Sequence, residues 1–190
     1  MKHLVCVFVF LAMVGAARAQ QATRTGTAAL YCLTTPGFLV VARNLPDEVG
    51  VEFHGRALAG RTEATPCEFA PKAGDLRLGG PEKPYTIEGM DGRYLAVTEL
   101  IGLAGTLHVY DLSSGKAVVS EPLTEANVTK TVGGRVTFTI RSGTGTAKTC
   151  QRLAEFTKQG GSGEIGVPAS VDLRTGTLSR STRTVCTYAQ

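Results

Sequence analysis

Apolar residues in this chain come in short runs that alternate with polar residues and are separated by turn-forming residues. The clearest case is Val136, Phe138 and Ile140, between which polar residues intervene. Such alternation places one set of side chains on the buried face of a strand and the other in water. With 23 glycines and no tryptophan, the pattern is typical of an antiparallel β protein. The predicted strands are 28–33, 38–43, 49–53, 85–88, 93–99, 106–112, 116–121, 135–141, 170–173 and 183–188.

Three segments depart from this pattern. In residues 147–158, positions 150, 153, 154 and 157 fall at helical spacing, whereas positions 150, 154 and 156 also suit a strand. We interpret the segment as one short helix. Residues 66–83 contain three prolines and three glycines, and residues 160–166 read Gly-Gly-Ser-Gly-Glu-Ile-Gly. Because glycine raises the entropy lost on ordering, both are predicted to be mobile loops, the second separating the main sheet from a C-terminal hairpin.

The N-terminus predicts export. A short cationic start with Lys2 leads into an uncharged run of 11 residues and then a small-residue site at Ala17 and Ala19. This order is that of a secretory signal, and the run is too short to span a bilayer, which needs about 20 residues. We expect cleavage after Ala19, a location outside the cytoplasm, and no membrane insertion after cleavage. Residues 1–19 are thus a signal peptide and residues 20–190 one β-rich domain.

The charge balance argues against nucleic acid as a partner. Loss of Lys2 and Arg18 takes the 20 basic residues to 18, against 16 acidic ones. The remainder shows no basic block with interleaved aromatics of the kind that nucleic-acid-binding proteins use.

Four cysteines remain after processing: Cys32, Cys67, Cys150 and Cys186. An even number in an oxidising compartment predicts two disulfides. Three pairings are possible, and we favour the sequential one, in which each bridge closes a loop of similar length. A metal site is disfavoured, because there is no CxxC pair and the mature histidines lie far from the cysteines in sequence.

No arrangement of residues predicts catalysis. His108 lies in an alternating strand, where a structural or surface role is the better interpretation than a catalytic one. Gly161, Gly163 and Gly166 match GxGxxG, but no apolar strand precedes them and Pro168 follows where a helix should begin. Acidic pairs in turn-like sequence are interpreted as solvated charge. We therefore expect no enzyme activity, no cofactor and no metal.

A short repeat predicts two similar hairpins. Residues 109–116 and 170–177 share the form x-x-Asp-Leu-x-Ser/Thr-Gly-x. In each, the aspartate can accept hydrogen bonds from turn amides, and the glycine supplies the positive φ that closes a tight turn. Hairpins of this kind are common in the blades of β-propellers, although this chain is too short for a propeller.

An exported β protein of this size with a hairpin ending in Asp111-Leu112-Ser113-Ser114-Gly115 resembles the periplasmic immunity proteins that bacteria pair with type VI secretion effectors, in particular with the first group of cell-wall amidases. The resemblance implies an all-β protein that plugs the active-site cleft of a secreted peptidoglycan amidase and so protects the producing cell. It implies that Ser113 and Ser114 enter the cleft, with Asp111, Leu112, Gly115 and Lys116 completing the inhibitory loop.

Two other functions stay open from the sequence. One is a glycan- or small-ligand-binding module, which predicts a concave pocket with convergent polar groups. The other is a cell-wall hydrolase, which predicts activity that single carboxylate substitutions abolish.

Overall fold

The computed structural model of the chain describes residues 23–25, 28–45, 50–58, 66–101, 104–125 and 129–190. Regular structure in these ranges is nearly all antiparallel β-strand with one short helix, which confirms the predicted fold class. The predicted signal segment lies outside the described residues. The elements are β1 (Thr23–Thr25), β2 (Ala28–Thr35), β3 (Phe38–Asn44), β4 (Val51–Ala57), β5 (Leu76–Gly79), β6 (Tyr85–Asp91), β7 (Tyr94–Ile101), β8 (Ala104–Asp111), β9 (Lys116–Leu123), β10 (Lys130–Val132), β11 (Arg135–Thr144), α1 (Leu153–Lys158), β12 (Ser162–Asp172), β13 (Thr177–Arg180) and β14 (Val185–Ala189).

The first five strands form one antiparallel sheet in the order β1-β2-β3-β4-β5. Each strand pairs with the next along the chain, so this five-stranded sheet is a meander of hairpins. Strand β5 lies inside the segment 66–83 that was predicted to be a mobile loop, which is a correction. Its four residues pair with β4, and this pairing fixes the segment in place.

The remaining nine strands form a second antiparallel sheet, curled into a half-barrel. Its main path runs β13-β12-β11-β9-β8-β7-β6, with β10 beside β11 and β14 beside β12. The link between β9 and β11 is narrow, because only Ile140 and Leu123 are paired there. The sheet therefore bends at this point, and its two parts enclose an apolar core between them.

Strand β7 contributes to two cores at once. Tyr94 and Ala96 face the core inside the curled sheet, whereas Leu95 and Val97 face the core shared with the five-stranded sheet. A strand covered on both faces reads as a continuous apolar run rather than an alternating one, and these four consecutive residues fit that rule. The shared core also holds Val40, Ala42, Phe53, Tyr85 and Leu112.

Both disulfides follow the sequential pairing that was favoured. Cys32 bonds to Cys67 and Cys150 bonds to Cys186, with Cα–Cα distances of 5.9 Å and 5.4 Å. The bridges span 35 and 36 residues. A bridge closing a loop of this length removes enough disorder from the unfolded chain to stabilise the fold by about 4 kcal/mol.

The prediction of a mobile loop at 160–166 was wrong. Residues 162–166 are the first half of β12, where they all pair with β14 and residues 164–166 also pair with β11. The glycines serve close packing: a Cβ on Gly163 would lie 3.1 Å from the sulfur of Cys150 and 3.1 Å from a methyl of Leu153. A glycine in a strand often marks such a close approach, and here it makes room for a disulfide.

The short helix predicted over 147–158 occupies only the second half of that range. Residues 147–152 form turns, and α1 follows at Leu153–Lys158. Gly160, with a φ of 80°, ends it in the left-handed region. Phe156 is the buried residue of the helix and packs edge-on against Tyr188 of β14, so α1 covers one end of the nine-stranded sheet.

Candidate functional site

The predicted inhibitory loop is a tight turn between β8 and β9. The amides of Ser114 and Gly115 donate to the Asp111 carbonyl at 3.2 Å and 2.8 Å. Gly115 has a φ of 68°, a conformation that a residue with a side chain rarely adopts. The chain then re-enters the ladder at Lys116, which pairs with Asp111. The predicted hairpin is therefore present, with the glycine in its predicted place.

The carboxylate of Asp111 holds this turn from within. Its Oδ1 accepts from the amide of Ser113 at 2.9 Å and from the Ser113 hydroxyl at 2.6 Å, and its Oδ2 lies 3.5 Å from Nε of Arg93. Burial by itself would raise the pKa of Asp111, but the bonds from Ser113 and the nearby Arg93 charge outweigh it and hold that pKa below its ordinary value. The aspartate thus stays ionised and keeps the turn in one shape.

Leu112 attaches the turn to the rest of the molecule. It is 6% exposed and belongs to the core between the two sheets. Its amide donates to the Arg93 carbonyl at 2.8 Å. One of its methyl carbons lies 2.7 Å from where a Cβ on Gly55 would stand, so the glycine in β4 provides the space that Leu112 fills. The turn is therefore anchored on both sheets.

The six predicted loop residues divide into two groups. Asp111 and Leu112 are buried, whereas the following residues Ser113, Ser114, Gly115 and Lys116 are exposed. The Ser113 hydroxyl is engaged by Asp111, while that of Ser114 has only long contacts, 3.5 Å to the Asp111 carbonyl and 3.4 Å from the Lys116 amide. Of the two serines, Ser114 has the hydroxyl more available to a partner.

The second copy of the repeat folds in the same way. The amide of Gly176 donates to the Asp172 carbonyl at 2.8 Å, and Gly176 has a φ of 70°. Here Arg174 replaces Ser113, and its guanidinium and amide both bond to the Asp172 carboxylate. These bonds lower the pKa of Asp172 to about 2. The predicted similarity of the two hairpins is confirmed.

Both hairpins contact the residues that join β6 to β7. The sequence did not predict this shared contact. The first reaches Arg93 through Asp111. The second lies against Tyr94, since a Cβ on Gly176 would be 2.6 Å from that ring. Arg93 in turn donates to the Tyr94 hydroxyl at 2.9 Å. The exposed tips of both repeats are therefore positioned by one pair of residues.

A second polar cluster lies across three neighbouring strands. The Ser120 hydroxyl on β9 is 3.1 Å from Nδ1 of His108 on β8, and Nε2 of His108 is 3.4 Å from Oε2 of Glu99 on β7. The second distance is that of an ion pair, without hydrogen-bond geometry. His108 therefore joins a hydroxyl and a carboxylate across the three strands, contacts that are compatible with the structural role interpreted from the sequence.

The Glu99 carboxylate is held by further neighbours. Tyr85 donates its hydroxyl to Oε2 at 3.2 Å, and Nζ of Lys83 lies 3.8 Å from Oε1. Burial and the adjacent Glu99 charge both raise the pKa of Tyr85, so this hydroxyl remains protonated and a permanent donor. These contacts fix the carboxylate at the edge of the core between the sheets.

A third polar group, around His54, is covered by residues 66–75, which we call the strap. Asp75 ends the strap, and its Oδ2 lies 3.3 Å from Nδ1 of His54 and 2.9 Å from a guanidinium nitrogen of Arg56. His54 is 1% exposed and packs edge-on against Phe69 of the strap. Burial chiefly, and then the Arg56 charge, lower the pKa of His54, with Asp75 opposing them.

One open depression lies beside α1, with a volume of about 580 Å³. Its lining is mostly apolar and small, which suits a glycan poorly, because sugars are recognised through convergent polar groups. The lining residues are Ala147, Cys150, Gln151, Leu153, Ala154, Thr157 and Lys158.

Two negative findings apply to the described part of the chain. Within it, no three histidine, cysteine or acidic side chains gather as metal ligands would. Among the same residues, no helix has the length and apolar character needed to cross a membrane.

No protein-family model matches this chain, and no curated protein matches it.

Proposed function

We propose that this chain is a periplasmic immunity protein, which binds a type VI-secreted peptidoglycan amidase and occludes its active site with the turn 111–116. In this proposal the chain is exported by residues 1–19, and it acts as a stoichiometric inhibitor through the turn.

The rigidity of the turn is the observation that supports this proposal most directly. Asp111 fixes the turn from within, and Leu112 is buried between the two sheets. A tip that is already ordered loses little conformational entropy when it docks, so more of the contact energy appears as affinity. A long flexible loop would lose that advantage.

The chemistry of the exposed tip is suited to a cysteine amidase. A serine hydroxyl both donates and accepts, so that of Ser114 can bond to a catalytic imidazole or thiol. Its present contacts are at the long limit of hydrogen bonding, so little is lost when they are exchanged for a partner's groups. Lys116, which is exposed beside it, supplies a positive charge at the rim.

The test mixes the mature chain with the product of the gene adjacent to this one, which the proposal expects to be a peptidoglycan amidase. Native protein is expected to form a one-to-one complex, burying on the order of 1,600 Å² in total, and to stop the release of peptidoglycan fragments. Ser114→Arg is expected to abolish inhibition, because the larger side chain cannot enter a cleft shaped for serine. The second hairpin supplies the matched control: Thr175→Arg makes the same change at the equivalent position.

Three outcomes would refute the proposal. One is full amidase activity in a molar excess of native protein. A second is equal loss of inhibition in Ser114→Arg and Thr175→Arg, which would show that the turn has no special part. The third is unchanged inhibition by a folded Ser114→Arg protein, which would remove the turn from the interface. Circular dichroism establishes that each variant is folded.

A further inference from the structure

The cluster of Ser120, His108 and Glu99 has the connectivity of a nucleophile, a base and an orienting acid. His108 and Ser120 are directly opposite each other across β8 and β9. On β7, the residue opposite His108 is Val97. Glu99 follows Val97 by two positions, so its side chain lies on the same face of the sheet as that of His108. Three side chains from adjacent paired strands are thereby held in a row by the backbone, the kind of rigid support that an active group requires.

Both ring nitrogens of His108 have a polar neighbour. Nε2 lies 3.4 Å from Oε2 of Glu99, without hydrogen-bond geometry, and in the reaction that we infer the ring proton is on this nitrogen, beside an acceptor-only carboxylate. Nδ1 is then left with a lone pair facing the Ser120 hydroxyl at 3.1 Å. This is the protonation state that a histidine needs in order to accept a proton from serine.

The cluster is both accessible and supported. Ser120 is exposed to solvent, whereas the side chains of His108 and Glu99 are only 16% and 18% exposed. The Tyr85 hydroxyl bonds to the same carboxylate oxygen that faces the ring. The register of β8 and β9 shifts next to the site, which leaves Val118 unpaired two residues before Ser120. Bulges of this kind re-aim side chains and occur often beside active sites.

We propose that Ser120 is a nucleophile toward acyl esters and that His108 is its general base, with Glu99 as a positioning residue. The Ser120 oxygen forms a bond to the ester carbonyl carbon while its proton moves to Nδ1 of His108. That proton then passes to the alkoxide oxygen as its bond to the acyl carbon breaks. Water, deprotonated by the same nitrogen, hydrolyses the acyl-serine and restores the hydroxyl.

This activity is separate from the proposed inhibition. The turn 111–116 acts through its shape at the end of β8, whereas Ser120 lies within β9 and acts through its hydroxyl. Either proposal can fail without the other.

The test uses the full mature chain with p-nitrophenyl acetate and with a fluorophosphonate probe. Native protein is expected to release nitrophenolate and to carry one acyl or phosphonyl group, located on Ser120 by tandem mass spectrometry. Ser120→Ala is expected to lose the adduct. His108→Gln should slow acylation by about 100-fold or more, the usual contribution of a general base. Glu99→Gln should lower kcat and leave KM unchanged, because Glu99 orients the ring without touching the ester.

The matched control is Ser142→Ala. Ser142 is also an exposed strand serine, but its hydroxyl donates to the Ile165 carbonyl at 3.1 Å, so its removal should leave labelling unchanged. Melting temperatures establish that each variant is folded. The proposal is overturned if folded native protein takes up no probe under conditions that label a known serine esterase. It is equally overturned if Ser120→Ala is labelled as strongly as Ser142→Ala, or if a folded His108→Gln protein reacts at the native rate.

Discussion

Replacing Leu112 by alanine removes the side chain that anchors the turn 111–116 between the two sheets. Leu112 is 6% exposed, and truncation of a buried leucine to alanine costs about 3 kcal/mol, part of it from the cavity that remains. We expect Leu112→Ala to lower the free energy of unfolding by this amount. In the same variant the turn should lose its rigidity, so inhibition should weaken even though Ser113 and Ser114 are unchanged.

A second substitution, Gly55→Ala, tests whether the contact between Leu112 and Gly55 is what anchors the turn. Alanine at position 55 would place its Cβ 2.7 Å from a Leu112 methyl, and overpacking of this kind costs about 1–3 kcal/mol. In the Leu112→Ala protein that methyl is absent, and the same alanine should instead stabilise by about 0.5–1 kcal/mol, through the restricted unfolded chain. The effect of Gly55→Ala is therefore expected to change sign between the two backgrounds.

The measurement is equilibrium urea unfolding of the four proteins, with both disulfides intact. Far-ultraviolet circular dichroism is the suitable signal, because the chain contains no tryptophan. We expect a coupling energy of about 1.5–4 kcal/mol between the two positions, the difference between the two effects of Gly55→Ala. If the two effects add to within about 0.5 kcal/mol, the contact between Leu112 and Gly55 does not hold the turn, and the reasoning is refuted.

Two further predictions concern the five-stranded sheet and its strap. Replacing Cys32 and Cys67 together by alanine should cost about 4 kcal/mol in urea unfolding, from the 35-residue loop that the bridge closes, and a loss below about 1 kcal/mol would contradict this. The pKa of His54 is lowered from 6.5 in the folded state, so the unfolded chain takes up the proton first and stability should fall as the pH drops through 6.5. His54→Gln should remove that part of the pH dependence, and an unchanged slope would show that His54 is not its source.

The sequence predicted most of the strands because their apolar residues alternate, as at Val136, Phe138 and Ile140, all of which are buried. Its predicted strands leave out β1, β5, β10 and β13, which have only three or four residues each and show too little alternation. It also took the glycines at 160–166 as a sign of mobility. A glycine that makes room for a neighbour looks the same in sequence as one that loosens a loop, and only the position of Cys150 against Gly163 separates the two.

In the candidate sites, too, the local features could be predicted from the sequence and the long-range contacts could not. The turn 111–116 was predictable because its Asp, Ser and Gly residues are close in sequence and act locally. Its anchoring on Gly55 was not, because that contact joins residues of two different sheets. The row formed by Glu99, His108 and Ser120 depends on the register of three strands, and a shift of one residue would turn each side chain to the opposite face.

The sequential disulfides bear on how the chain matures. Cys32 and Cys67 both belong to the five-stranded half, and Cys150 and Cys186 both belong to the nine-stranded half. Under the proposed export, the chain enters an oxidising compartment from its N-terminus and presents the first pair before the second has arrived. An oxidase that joins thiols in their order of arrival would then produce the native connectivity without an isomerase to correct it.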